Sequence, residues 1–490
     1  MEEKNYNKGG KLKDKVLSGL VWTFGERILA QGVSFILSLV LARLLMPQEY
    51  GKVAIILVFI NIAEVFVSSG FGEALIQKKN TTELDYSTVF YCSFIVSILI
   101  SVLLFCFAPT IESFYKMNHL AIMLRVLAIK IPVASISTIQ HAYVSKHMMF
   151  KKFFFSTFGG TAISGVIGIV MAYSGFGAWA LIAQYLINTI VDTLVLFIIV
   201  PWRPRLMFSL ENAKELVGYG WKLTVASLIN TGYVELRSLI IGKKYNSSDL
   251  AYYNRGNQFP SLIITNIDTS IGKVAFPAMA HAKDNLQRLK SISRRSMKVT
   301  SYIIFPLMIG LIVVAKPLIV LLLTEKWISC VVFLQISCVF YMCQPIQTTN
   351  WQIIKAVGRS DLCFKLELVK KFIGILLILI SMNYGVYAIS IAAAFTGIIS
   401  MIINMIPNKK LIGYSIKEEL FDIFPALFAA CLMGIAINFV HIFEFKPLIM
   451  ILVQTILGII LYILLSILFK IDSFYFILNI IKSKFSNKKK

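Results

Sequence analysis

Long apolar stretches alternate with short polar segments along almost the whole chain. A helix that crosses the roughly 30 Å hydrocarbon core of a bilayer needs about 20 apolar residues. Stretches of that length recur fourteen times, with predicted limits 16–45, 51–76, 87–111, 118–144, 153–174, 178–200, 221–242, 250–280, 299–323, 329–354, 362–382, 385–408, 420–440 and 447–469. Charged or polar residues interrupt the fourth, seventh, eighth and eleventh stretches, so a total of twelve or thirteen spans is the alternative. The pattern predicts an all-α polytopic membrane protein.

A weak internal repeat divides these spans into two lobes. Trp22 opens a span that leads to a turn containing Glu49, and Trp221 opens one that leads to a turn containing Asp249. Because six spans separate the copies, both enter from the same side of the membrane, as in parallel repeats. The predicted segments are a cytoplasmic N-terminus (1–15), a six-helix N-lobe (16–200), a cytoplasmic linker (201–220), a six-helix C-lobe (221–408), a C-terminal helix pair (409–469) and a basic cytoplasmic tail (470–490).

Composition agrees with a membrane protein. The 490 residues are 57% hydrophobic and only 15% charged, whereas soluble domains carry about 25% charged residues. Lys and Arg outnumber Asp and Glu by 48 to 25. With the N-terminus inside, the inner segments hold 32 of the basic residues and the outer ones eight, as the positive-inside rule requires. The basic excess therefore predicts a multi-pass membrane protein with both termini cytoplasmic, and no nucleic-acid partner is expected.

The residues that usually carry catalysis or bind metals form no recognisable motif. The seven cysteines include no CxxC pair and the five histidines no HxxxH pair, so no metal site or cofactor is predicted. The loops are short and leave no extramembrane domain for chemistry. We therefore predict a protein that is not an enzyme and has no catalytic residues.

Ionisable residues inside the predicted spans are the main functional signal, because a charge at bilayer depth is costly and usually has a task. Nine such residues that are not assigned to the loops lie on the first two spans of each predicted lobe, which indicates one cleft between the lobes. They are Glu26, Arg27, Glu64, Glu73, Glu235, Arg237, Arg255, Asp268 and Lys273. Neighbours such as Glu235 and Arg237 could also simply neutralise one another.

Arginine in such a cleft suits an anionic substrate, phosphate in particular, because guanidinium stays charged and binds two phosphate oxygens at once. Carboxylates nearby can balance the empty site or accept a coupling cation or proton. Pro260 and Pro277, with Gly256 and Gly272, are predicted to break the eighth span, as in a helix that bends between inward- and outward-open states.

The chain resembles the multidrug/oligosaccharidyl-lipid/polysaccharide (MOP) exporter superfamily, in particular its polysaccharide flippase branch of the Wzx and WzxC type. The resemblance covers nearly the whole chain, and its motifs are hydrophobic scaffolding rather than catalytic signatures. The segments that carry it are Ser69–Lys79, Leu239–Gly242, Ala251–Gly256, Gly272–Pro277, Glu325–Trp327, Gly358–Asp361 and Lys365–Leu368.

The resemblance implies alternating access and export of an undecaprenyl-diphosphate-linked oligosaccharide for the synthesis of a surface polysaccharide such as O-antigen, capsule or exopolysaccharide. It implies membrane lipids as partners and leaves open contact with glycan polymerase or chain-length machinery. A cationic cavity is implied; Arg27 and Arg255 are matched to it, and Arg125 and Arg237 are further candidates. Glu64, Glu235 and Asp268 are the candidates for coupling to a Na⁺ or H⁺ gradient, and drive by the membrane potential remains open.

Two rival functions remain at this stage. A multidrug cation antiporter of the same superfamily would need an acidic or aromatic cavity, whereas the nine residues named above comprise four basic and five acidic groups. A membrane glycan polymerase or ligase would need a long external loop with catalytic Arg or His, and the longest predicted external loop has only about ten residues. A purely structural scaffold is disfavoured by intramembrane arginines.

Overall fold

The computed structural model describes residues 31–68, 70–78, 80–149 and 151–486, and within these ranges no strand is present. Helices satisfy every backbone hydrogen bond inside one segment, which the hydrocarbon core demands. The helices are α1 Gln31–Leu44, α2 Pro47–Ser68, α3 Phe71–Gln77, α4 Glu83–Tyr115, α5 Leu120–Ala128, α6 Lys130–Lys146, α7 Lys151–Tyr173, α8 Ala178–Ile199, α9 Leu210–Lys244, α10 Ser247–His281, α11 Leu286–Val313, α12 Ala315–Leu323, α13 Cys330–Ala356, α14 Ser360–Ser381, α15 Val386–Met405, α16 Asn408–Ile412, α17 Ile416–Asn438, α18 Pro447–Leu468 and α19 Asp472–Ser486.

The helices account for every predicted span. Ten helical segments of the described residues are long and apolar enough to cross a membrane. Outside that set, α9 and α10 contain 35 residues each and α14 contains 22; they correspond to the seventh, eighth and eleventh predicted spans, whose apolar runs are interrupted. The helix α1 is the described part of the first span. The predicted all-α polytopic fold is therefore confirmed.

The eighth span is one uninterrupted helix, so the predicted break at Pro260 and Pro277 is wrong: α10 continues through both prolines. A proline removes a single backbone donor, and a bilayer offers no water to replace the remaining helical bonds. Gly256 has a packing role instead, because a Cβ there would lie 2.6 Å from Cβ of Phe333 and 2.7 Å from the backbone N of Leu334. The glycine thus allows α10 and α13 to pack backbone to backbone.

The chain divides into two compact units, Met1–Ala251 and Tyr252–Lys490. In the first unit, α9 packs against α2, α3 and α4. In the second unit, α11, α13, α15, α17 and α18 pack around a core that includes Met297, Phe305, Met433 and Tyr462. The repeat-based lobe boundary at 201–220 stays a prediction.

Candidate substrate and coupling sites

The predicted cavity residue Arg27 and its neighbour Glu26 lie outside the described residues. The other six predicted site residues are described. Arg125, Arg237, Glu64 and Glu235 belong to the first unit, and Arg255 and Asp268 to the second.

Two polar pairs of the first unit lie at one face of α2, and their members Asn61, Glu64, Lys130 and Glu235 are called here the α2 polar cluster. Nζ of Lys130 on α6 lies 2.8 Å from Oε1 of Glu64. Nδ2 of Asn61 donates to Oε1 of Glu235 on α9 at 2.9 Å. Because Asn61 and Glu64 are three residues apart on α2, they share a face of that helix. Through these two contacts, two of the three predicted coupling carboxylates lie on or beside the same face of α2.

The α2 polar cluster contains one cation and two carboxylates. Lys130 neutralises Glu64, whereas the partner of Glu235 is the neutral amide of Asn61. Arg237 follows Glu235 by two residues on α9, and side chains at that spacing do not face each other on a helix. Counted over the described residues, the cluster therefore holds one more carboxylate than cations, which suits it to binding a monovalent cation.

Arg237 is the predicted arginine with an unused donor. Its guanidinium carbon lies 5.6 Å from the ring centroid of Tyr233, and the residue is only 8% exposed. Its Nε is buried and makes no hydrogen bond to any described residue. A buried donor without an acceptor is costly, so this nitrogen is suited to an anionic ligand.

Arg125 on α5 contacts α4. Its Nε donates to the carbonyl oxygen of Phe105 at 3.1 Å, and its guanidinium carbon lies 4.6 Å from the centroid of the same residue's ring. Both contacts attach α5 to α4. They give Arg125 a packing role, and its predicted role in a cationic cavity stays a prediction.

Arg255 and Asp268 lie on α10 but far apart. Nη1 of Arg255 donates to Gln258 at 2.5 Å, and the guanidinium carbon lies 5.7 Å from the ring centroid of Trp327. Oδ2 of Asp268 accepts a hydrogen bond from Oγ1 of Thr348 at 2.8 Å, while its Oδ1 is buried and without a hydrogen bond among the described residues. Thirteen residues of helix separate the two by about 20 Å, so one small ligand cannot contact both.

A buried carboxylate that the sequence analysis missed lies in the second unit. Glu419 is 0% exposed, as are Asn350 and Asn408. Nδ2 of Asn350 donates to Oε2 of Glu419 at 2.9 Å, and Nδ2 of Asn408 donates to Oε1 at 3.0 Å and to Oδ1 of Asn350 at 2.8 Å. These three residues, the Glu419 cluster, join α13, α16 and α17. Among the described residues, the hydrogen-bond donors to this carboxylate are neutral amides.

Two features of the sequence concealed this cluster. Glu419 falls one residue before the predicted thirteenth span, and asparagines carry no charge to be counted. Asp422, one turn further along α17, was also missed; it accepts two hydrogen bonds from Arg294, each 2.7 Å long. A search for uncharged polar residues in the apolar runs would have identified Asn350 and Asn408.

Comparisons with known proteins agree with the fold. A family model described as "Polysaccharide biosynthesis protein" matches residues 40–332. The chain is 25% identical to the lipopolysaccharide biosynthesis protein WzxC of Escherichia coli K12, over 87% of this chain and 89% of that protein. It is also 25% identical to the teichuronic acid biosynthesis protein TuaB of Bacillus subtilis 168, over 87% and 88%.

Solved structures share the architecture. The lipid II flippase MurJ in an inward closed conformation aligns with a TM-score of 0.73 at 16% identity, over 93% of this chain and 99% of that one. An inward-facing multidrug resistance MATE family transporter of the MOP superfamily aligns with a TM-score of 0.62 at 14% identity, over 79% and 98%. At these identities the likeness shows the fold. Since the family model matches more than half of the chain, the chain belongs to the polysaccharide biosynthesis protein family.

Proposed function

We propose that this protein is a flippase that moves a polyprenyl-diphosphate-linked oligosaccharide across the bacterial plasma membrane by alternating access. One observation carries the proposal: a chain of the polysaccharide biosynthesis family has, over 93% of its length, the fold of a protein named as a lipid II flippase. The relatives named for lipopolysaccharide and teichuronic acid biosynthesis support a role in making a surface polysaccharide.

The side chains of the two units support transport of an anionic lipid-linked substrate. In the first unit, buried Arg237 has an unused Nε; in the second, Arg255 is held at 7% exposure by Gln258 and Trp327. A diphosphate carries charge through the transport cycle, and arginine binds phosphate oxygens without losing its proton. We propose these two arginines as substrate contacts, together with Arg27.

The excess negative charge of the α2 polar cluster supports coupling to an inward flow of cations or protons. A bound cation would neutralise Glu235 and remove the cost of its charge at membrane depth. We propose Glu64 and Glu235 for this role, with Asp268 as a separate candidate in the second unit. The protein would carry out transport without a catalytic step of its own, with both termini in the cytoplasm.

Deletion of the gene followed by a search for the stalled intermediate tests the function. Loss of a flippase leaves lipid-linked oligosaccharide exposed on the cytoplasmic leaflet, where a membrane-impermeant lectin reaches it only in inverted vesicles. Accumulation of unpolymerised repeat units outside the cell would instead support the polymerase. Normal surface glycan with increased sensitivity to cationic drugs would support the multidrug antiporter, whose fold is also similar.

A further inference from the structure

A cationic pocket lies in the second unit between the first turns of α11 and the start of α19. Lys290, Arg294, Arg295 and Lys298 line one wall, and Asp472 and Phe476 line the other. Its volume is about 460 Å³. None of its residues belongs to the predicted substrate or coupling set, so the pocket is a separate feature.

Most of the positive charge in this pocket is already balanced. Lys290 lies 2.9 Å from Glu418, and Arg294 lies 2.7 Å from Asp422. Nζ of Lys298 lies between two carboxylates, 3.5 Å from Oδ1 of Asp422 and 2.9 Å from Oδ2 of Asp472. Four cations thus face three carboxylates.

The remaining positive charge is on Arg295. Its contact is with the ring of Phe476, whose centroid lies 4.2 Å from the guanidinium carbon, and within the described chain it has no carboxylate partner. An aromatic ring provides no oxygen acceptor, so the N–H donors of Arg295 remain available to one. Over the part of the chain that the structure describes, the pocket therefore presents a single net positive charge, on an exposed guanidinium.

The pocket lies where the polar part of α11 meets its membrane span. No charged residue occurs from Val299, which lines the pocket, to Val313, the end of the helix. On α19, Phe474 and Ile477 pack against the apolar core of the second unit. A site bordered by an uncharged span on one side and by basic residues on the other lies at the depth of lipid headgroups.

We propose that this pocket binds the phosphate of an anionic phospholipid from the adjoining leaflet, and that the lipid holds α19 against α11. A phosphodiester carries one negative charge, which matches the single uncompensated charge of the pocket. Arg295 would bind two phosphate oxygens, and Val299 and Phe476 would contact the glycerol and the first acyl carbons. The site goes beyond the proposed transport function, because it lies apart from the predicted substrate residues and needs no transport to be occupied.

Binding of phosphatidylglycerol to the purified full chain tests the proposal. Native mass spectrometry would measure retention of phosphatidylglycerol and of phosphatidylcholine by the wild type, by Arg295→Gln and by Arg288→Gln. Arg288 is an exposed arginine on the same helix that does not line the pocket, so it is a control for net charge. We expect Arg295→Gln to weaken phosphatidylglycerol binding about tenfold, since charge-assisted bonds to phosphate are strong, and Arg288→Gln to leave it within about twofold.

Three results would overturn the proposal. Equal retention of the two lipids by the wild type would show that no anion site exists, and equal losses in both variants would show a general effect of charge. Displacement of phosphatidylglycerol by inorganic phosphate at equal concentration would identify a soluble phosphate as the ligand.

If Arg295→Gln does not fold, Arg295→Lys is the second variant, because it keeps the charge but not the two-oxygen contact. We expect it to bind phosphatidylglycerol with intermediate affinity, and wild-type affinity would contradict the arginine contact. Because the experiment measures lipid binding and not transport, failure of this proposal is distinguishable from failure of the proposed flippase function.

Discussion

Lys130 of α6 and Glu64 of α2 form an ion pair, with 2.8 Å between Nζ and Oε1. Their side chains are 16% and 26% exposed, so the pair is largely removed from solvent. Each charge reduces the cost of the other within the membrane. Glu64 is therefore a compensated carboxylate in the folded chain, although the sequence alone does not show its partner.

The first prediction concerns this pair. Glu64→Gln or Lys130→Met leaves its partner uncompensated, and each single variant is expected to lower the midpoint of thermal unfolding in detergent. The double variant should recover most of the loss, with a coupling free energy of about 1 to 3 kcal/mol. Lys214→Met, at an exposed position of α9, is the control. Losses that simply add in the double variant would show that the two charges act independently.

The second prediction concerns Arg255. Arg255→Ala is expected to reduce export of the surface glycan about tenfold or more, because it removes a charge-assisted contact to the diphosphate, while the amount of protein in the membrane is unchanged. Arg27→Ala should behave alike. Arg359→Ala is the control, since Arg359 is paired with Asp361 at an exposed site. Cell-surface glycan and membrane protein are quantified in the same cells, and normal export by both Arg27→Ala and Arg255→Ala would rule out the cavity assignment.

The third prediction concerns the contact of α10 with α13. Gly256→Ala places a methyl group against Phe333 and the backbone of Leu334, and overpacking of this kind costs about 1 to 3 kcal/mol. Gly310→Ala on α11 is the matched control, because nothing lies within 4 Å of a Cβ there. Thermal unfolding of both variants in detergent provides the comparison. An equal midpoint for the two would show that α10 and α13 are not in close contact.

The fourth prediction concerns the Glu419 cluster. Asn350→Ala or Asn408→Ala leaves an oxygen of a fully buried carboxylate without its donor, which costs about 1 to 3 kcal/mol. Asn118→Ala, at an exposed position of the turn between α4 and α5, is the control and should have little effect. Urea denaturation in detergent measures the free energy of unfolding of the three variants. Wild-type stability of both cluster variants would mean that Glu419 does not depend on these amides.

The fold was predictable to a large extent, because the bilayer imposes a simple requirement on sequence. Each span needs about 20 apolar residues, and every predicted span corresponds to a helix of the described chain or to the described part of one. The error at Pro260 and Pro277 has a local cause. A proline changes one hydrogen bond, and whether the helix continues depends on the neighbouring helix, here α13 packed against Gly256.

The residues of the candidate sites were predictable from the sequence, but their contacts with one another were not. Counting charges selected Glu64, Glu235 and Asp268, but it could not show that Lys130 neutralises Glu64 or that Asn61 donates a hydrogen bond to Glu235. The partners come from helices distant in sequence, since 174 residues separate Asn61 from Glu235. The Glu419 cluster escaped notice because two of its three members are neutral.

The sequence by itself determined the membrane class, the position of the helices and the family, because hydrophobic length and segment similarity are properties of the chain read in order. The tertiary structure decided which embedded charges are compensated, that α10 is continuous, and that Arg295 stacks on Phe476 without a carboxylate partner among the described residues. Those outcomes depend on distances of about 3 Å between side chains on different helices, and electrostatic energies at such distances change with each neighbour. No pattern along one chain contains that information.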